Sequence, residues 1–159
     1  MKGFERFVQD LEQSADSLKI TMTDDAAFKL GENIATTPGK VVHRCELFEL
    51  IQYTPTTEKV CETPLLVIPP FVNKFYILDL SEKNSYVRWA VEQGQTVFMV
   101  SWLNPTADNR DLGFDKYVTE GVLQALEVVE KQTGEREVNA VGYCIGGTLL
   151  MTSLAYMAG

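Results

Sequence analysis

Three short strand-like runs limit how this chain can fold. Leu65-Leu66-Val67-Ile68 is apolar throughout and stops at Pro69-Pro70. Thr96 to Trp102 reads T-V-F-M-V-S-W and stops at Asn104-Pro105, and Val138 to Val141 reads as a third strand. The first two, without polar alternation, are expected of strands covered on both faces. Helix patterns lie between them. Asn84 to Gln93 is ended by Gly94, and Phe114, Val118, Val122, Ala125 and Val129 form one stripe that ends near Gly134. A last apolar helix follows the third run. Strand and helix in alternation predict right-handed βαβ units and a mainly parallel sheet, an α/β fold.

Upstream the pattern differs. Phe4, Phe7, Val8, Leu11, Ala15 and Leu18 recur at helical spacing, which predicts an amphipathic helix over residues 2–18. A short second helix is expected from Asp24 or Asp25 to Leu30, with Gly31 as its stop. Thr36-Thr37-Pro38-Gly39 is a turn. Val41 to Arg44 and Leu47 to Tyr53 then read as a pair of strands, the usual pairing being antiparallel. Residues 1–38 are thus expected to form a helical segment ahead of an α/β unit over 39–159. Ala107 to Gly113 is polar and reads as a surface loop.

The chain has 159 residues, 45% of them apolar and 23% charged, enough for a domain with a core. Its net charge of -8 excludes the basic footprint that nucleic acid or an anionic membrane surface requires. Three cysteines without C-x-x-C spacing, and one histidine, provide no zinc ligand set. Reduced thiols in a cytoplasmic protein are the expectation. Residues 1–20 carry charges throughout, unlike a signal peptide, and no apolar run is long enough to cross a bilayer.

The chemistry concentrates at Gly142-Tyr143-Cys144-Ile145-Gly146-Gly147. A glycine-flanked nucleophile between a strand and a helix is the context of a nucleophile elbow, here with Cys for the usual Ser. The turn is strained and brings chain segments close together, so its neighbours must be small; Gly142, Gly146 and Gly147 meet that need. The helix N-terminus supplies free N–H groups and a positive dipole end, which favour a thiolate. The Ile145 N–H is one candidate oxyanion donor. The second comes from the loop after an earlier strand, here Pro69 to Asn73, with Val72 or Phe71 as the donor. The competing reading is a cysteine that merely fills space in a core. It is the strand and helix on either side that favour catalysis.

Cys45 and Cys61 lack a glycine turn and read as core or edge residues. His43 is the one histidine available as a base. It precedes Cys144, whereas the α/β-hydrolase order is nucleophile, acid, histidine, and it sits in an expected outer strand. It reads as a half-exposed strand residue, which leaves the base for Cys144 outside this chain.

Several stretches together resemble the polyhydroxyalkanoate synthases, the poly-β-hydroxybutyrate polymerases. They are P-P-F-V-N-K-F-Y-I-L-D-L at Pro69 to Leu80, N-S-Y-V-R-W-A-V-E-Q-G at Asn84 to Gly94, T-V-F-M-V-S-W-L-N-P at Thr96 to Pro105 and G-Y-C-I-G-G-T-L-L at Gly142 to Leu150. A-T-T-P-G-K-V-V at Ala35 to Val42 and L-F-E-L-I-Q-Y-T-P-T-T at Leu47 to Thr57 also fit. Leu103 stands where members often carry Arg. The resemblance is to the one-subunit, short-chain type. It implies an acyltransferase that takes (R)-3-hydroxyacyl-CoA, commonly 3-hydroxybutyryl-CoA, onto Cys144 as a thioester. The acyl group passes to a growing polyester and CoA leaves as a product, with no resident cofactor. It also implies a homodimer at polymer granules, and a downstream Asp and His. On that reading the chain is a truncated α/β-hydrolase fold ending just after the elbow, inactive alone. A cysteine α/β-hydrolase acting on esters or lactones, and a non-catalytic granule-associated piece, are the alternatives.

Overall fold

The computed structural model of the chain describes residues 2–14 and 20–159. The first helix, α1, covers Lys2–Gln13. Its Phe4, Phe7 and Leu11 stand exposed, whereas Asp10 is buried and accepts the Thr21 N–H at 3.0 Å. Ala15 and Leu18, expected on the same stripe, lie outside the described residues. The short helix expected from Asp24 or Asp25 to Leu30 is only one 3-10 turn, Asp25–Ala27. Asn33 diverts the chain there: its side chain accepts the Lys29 N–H at 2.8 Å and donates to the Ala27 carbonyl at 2.8 Å. Side-chain bonds of this kind compete with helical ones.

Seven strands follow: β1 (Gly39–Arg44), β2 (Phe48–Tyr53), β3 (Leu65–Ile68), β4 (Asp79–Ser81), β5 (Asn84–Ser85), β6 (Val97–Trp102) and β7 (Asn139–Gly142). Five form one sheet in the order β1-β2-β6-β3-β7, and β4 and β5 form a small hairpin of their own. β3 pairs parallel with β6 and with β7, while β1–β2 and β2–β6 are antiparallel. The sheet is mixed, with two parallel and two antiparallel pairings, because the expected hairpin of β1 and β2 joins the parallel strands through β6.

The runs of β3 and β6 are buried because both faces are covered, whereas the third, β7, is an edge strand with Asn139 and Ala140 exposed and Val141 and Gly142 half-buried. Side chains alternate across a strand. Leu66, Ile68, Phe98, Val100 and Trp102 pack on one face with Val118, Val122, Ala125, Val129 and Leu149. Leu65, Val67, Val97 and Met99 pack on the other with Val87, Ala90 and Val91 of helix α2 (Tyr86–Glu92). Each such fully buried aliphatic side chain contributes ~1.5–3 kcal/mol by leaving water. α2 starts later than its apolar pattern because Ser85 is its N-cap, the side chain accepting from the Arg88 N–H at 2.9 Å.

The helix expected from Phe114 to Gly134 has three parts. α3 (Phe114–Lys116) leads into a π-helical segment, Tyr117–Leu123, and then α4 (Gln124–Thr133). Gly134 ends it with φ of 79°, the left-handed C-terminal position that glycine adopts without strain. The last helix, α5 (Ile145–Ala158), begins directly after β7 and a two-residue turn. No helix among the described residues is long and apolar enough to cross a membrane.

Candidate active site

Cys144 occupies a backbone conformation that side chains rarely adopt. Its φ is 56° and ψ is -128°, between the end of β7 and the first residue of α5, and the side chain is exposed. Such a conformation costs about 1–3 kcal/mol and persists only where surrounding contacts enforce it. The contacts are visible. The Tyr143 N–H donates to the Ile68 carbonyl at 3.1 Å, extending the β3–β7 pairing into the turn. The Gly146 and Gly147 N–H groups donate to the Tyr143 and Cys144 carbonyls, each at 2.9 Å. The glycines are required by proximity. A Cβ on Gly142 would lie 2.5 Å from the Gly147 Cα, and one on Gly146 would lie 2.9 Å from the Pro69 carbonyl carbon and overlap the Ile68 oxygen.

The elbow therefore rests on the end of β3, where the Pro69 loop begins. Both backbone donors expected from the sequence are unengaged: the N–H groups of Ile145 and Val72 meet no acceptor among the described residues. Phe71 of that loop stacks on Tyr117, ring centroids 4.5 Å apart, and Phe114 meets it at 6.3 Å. Beyond the carboxyl ends of β3 and β6 these residues wall an open cleft of about 600 Å³. Val72, Lys74 and Asn104 also line it, and the Lys74 ammonium donates to the Asn104 side-chain oxygen. Lys74 is the one charged side chain on that lining.

Comparison with known proteins decides the family. Residues 1–90 match the family described as the N-terminus of poly-beta-hydroxybutyrate polymerase (PhaC). The chain belongs to this polymerase family. It is 49% identical over 158 residues to the poly(3-hydroxyalkanoate) polymerase of Methylorubrum extorquens, covering 99% of this chain and 26% of that protein. To the polymerase subunit PhaC of Rhizobium meliloti (strain 1021) it is 46% identical over 158 residues, with the same coverage. To that of Cupriavidus necator it is 44% identical over 156 residues, covering 98% of this chain and 26% of the relative. The chain thus spans about a quarter of the length of these curated polymerases.

The remaining candidates of this polymerase-family chain separate in space. His43 lies in β1, at the opposite edge of the sheet from β7. Four strand spacings, roughly 19 Å, lie between that edge and the elbow strand. Its ring packs on Phe48 at 5.6 Å, and its Nε2 is buried without a partner among the described residues. At that separation His43 is beyond hydrogen-bond reach of Cys144. Cys45 is half-buried at the end of β1 and its thiol faces the Phe48 carbonyl at 3.5 Å. Cys61 is exposed in a loop, where Gln95 donates to its sulfur at 3.4 Å.

The sequence reading missed Trp102 and Gly121. The Trp102 indole N–H is buried and donates to the Pro69 carbonyl at 2.8 Å. A buried indole needs an acceptor, so a Trp closing an apolar strand was the available signal. A glycine inside a helical stripe marks a close approach. Here a Cβ on Gly121 would lie 2.9 Å from the Trp102 ring.

Proposed function

We propose that this chain carries the acyl-accepting cysteine of a polymerase that joins (R)-3-hydroxyacyl groups, 3-hydroxybutyryl above all, into polyhydroxyalkanoate. The observation that carries the reading is Cys144, exposed at φ of 56° on a strand-to-helix turn whose flanking glycines admit no side chain. The strand order β1-β2-β6-β3-β7, with the elbow after the last of these, supports an α/β-hydrolase catalytic domain over residues 39–159, preceded by an N-terminal segment over 1–38.

The Cys144 sulfur attacks the thioester carbonyl of the acyl-CoA. A carbon–sulfur bond to the protein forms, the one to CoA breaks, and CoA leaves with the thiol proton. The Ile145 and Val72 N–H groups hold the oxygen as it gains charge. A 3-hydroxyl group then attacks the enzyme thioester. An ester bond forms, the cysteine is released, and the hydroxyl proton returns to it through a base. Exchange of one thioester for another is nearly balanced, so the acyl group keeps its transfer potential; a serine ester would surrender much of it. With His43 at the far edge of the sheet, the base and its acid belong to the part of the polymerase that this chain does not span. Residues 1–159 alone are then inactive. The intact enzyme acts as a homodimer at cytoplasmic polymer granules and needs no resident cofactor.

The test is to mix a full-length polymerase carrying this segment with (R)-3-hydroxybutyryl-CoA, quench it and locate the acyl group by peptide mass spectrometry. The expected adduct is on the Cys144 peptide, labile to hydroxylamine and absent from Cys144→Ala. Polymer formation by Cys144→Ala would overturn the reading.

A further inference from the structure

Trp102 ends β6, the central strand of the sheet, and its side chain is buried. Its N–H donates at 2.8 Å to the Pro69 carbonyl, and this is the carbonyl against which Gly146 of the elbow rests. The same ring meets Tyr117 at a tilt, 5.3 Å between centroids, and Tyr117 packs on Phe71 at 4.5 Å. One indole thus reaches the loop on both sides of Pro70, directly at Pro69 and through Tyr117 at Phe71. Gly121 provides the space for it.

We propose that Trp102 is a positioning residue for acyl transfer. By holding the Pro69 carbonyl it fixes the loop that carries the Val72 N–H relative to the elbow that carries the Ile145 N–H. The inference rests on reading Cys144 as the acyl acceptor and these two groups as the oxyanion donors. Donors act at 2.7–3.1 Å from the developing charge, and a misplacement of about 1 Å removes most of their effect. The loop makes few bonds of its own: Asn73 N–H to the Pro70 carbonyl at 3.3 Å, and Lys74 N–H to the Asn73 side chain at 2.8 Å. Without Trp102 the loop keeps, among the described residues, only the exposed Lys74–Asn104 bond as a hydrogen bond to the β6 end of the sheet, and Pro69 itself is left unheld.

The experiment uses a full-length polymerase carrying this segment, with two changes at one position. Trp102→Phe removes the donor and part of the ring. Incorporation of 3-benzothienylalanine at position 102 keeps the fused-ring shape and places sulfur where the N–H stood. kcat and KM for (R)-3-hydroxybutyryl-CoA are measured beside the rate of Cys144 alkylation by iodoacetamide. Alkylation forms no oxyanion, so it reads the thiol and elbow alone. Expected in both variants are a kcat lowered on the order of tenfold or more, a KM within about twofold, and an unchanged alkylation rate. Wild-type kcat in the benzothienyl variant overturns the proposal. So does alkylation that slows in step with kcat, or failure of both variants to fold, since either makes the bond one of stability alone. Cys144→Ala run in parallel keeps the two readings apart. If it still polymerises, the acyl-acceptor reading has failed; if it is inactive while the position-102 variants are normal, only the role of Trp102 has.

Discussion

The Asp79 carboxylate accepts two hydrogen bonds from Thr37, one from the backbone N–H at 3.2 Å and one from the hydroxyl at 2.7 Å. Ser85 donates a third at 2.6 Å, and the same serine oxygen caps α2. Asp79 is 1% exposed, so a buried carboxylate is satisfied by the end of the N-terminal segment and the start of a helix together. The Ala35 N–H also donates to the Asp79 carbonyl at 2.8 Å. This single residue therefore fastens residues 35–37 to the β4–β5 hairpin that follows the Pro69 loop.

Replacing Asp79 with Ala should lower stability by about 3 kcal/mol or more, because bonds to a charged acceptor contribute ~1.5–3 kcal/mol each and two donors are left buried. Ser85→Ala should cost about 2 kcal/mol or more, because it removes the N-cap, about 1 kcal/mol, together with a bond to the buried carboxylate, ~1.5–3 kcal/mol. Hydrogen exchange offers the local check: in Asp79→Ala the Thr37 amide should lose protection while the β3 and β6 amides keep theirs. Equal loss everywhere would mean that the clip is not local.

Gly146→Ala should be more damaging than most core substitutions. The added methyl would meet the Ile68 oxygen and the Pro69 carbonyl, both backbone atoms that cannot rotate away. Overpacking commonly costs about 1–3 kcal/mol where side chains can adjust, and here they cannot. In a full-length polymerase carrying this segment the turn should shift, with loss of polymer synthesis and a changed rate of Cys144 alkylation. Gly3→Ala, where nothing lies within 4 Å, is the matched control and should leave both unchanged.

A pH effect follows from Tyr53. Burial pushes its hydroxyl well above the usual tyrosine range and the nearby Asp79 carboxylate adds to the shift. The hydroxyl has no partner among the described residues. Below about pH 10 it is neutral in both the folded and unfolded chain. Above that, the unfolded chain releases the proton while the folded one keeps it. The unfolded state then binds fewer protons, and stability falls by up to about 1.4 kcal/mol per pH unit. Tyr53→Phe should remove this component and cost little at neutral pH, since no bond is lost. Unfolding midpoints of the two proteins at about pH 8 and about pH 11 should diverge at the upper value only.

What could be read in advance was local, and what could not was long-range. The runs at Leu65 and Val97 announced themselves because burial on both faces leaves no polar alternation. The tight turn at Cys144 announced itself because close approach of chain segments demands glycine at 142 and 146. Three things were hidden. His43 was expected in an outer strand and β1 is one, but the order β1-β2-β6-β3-β7, with β6 between the hairpin and β3, is encoded by no spacing in the sequence. The β4–β5 hairpin rests on Asp79 meeting a threonine 42 residues away. The bond from Trp102 to Pro69 spans 33 residues, and the same ring lies against Gly121 of the π-helical segment.

Cys144→Ser tests why the elbow carries sulfur. The side chain is exposed, and oxygen for sulfur changes little in size, so stability should stay within about 0.5 kcal/mol of wild type. The positive φ is set by the glycines and by β3, so the turn should hold. Chemistry should not. A serine hydroxyl is a weak nucleophile without a well-placed base, and its ester lies below the thioester in transfer potential, so passing the acyl group to a 3-hydroxyl is no longer driven. Polymer synthesis by a full-length polymerase carrying this segment should fall on the order of 10³-fold or more. Slow release of CoA accompanied by free 3-hydroxy acid, with acyl-serine trapped in between, would mark the second step as the one that needs sulfur. Wild-type polymer yield from Cys144→Ser would mean that the thioester is not required.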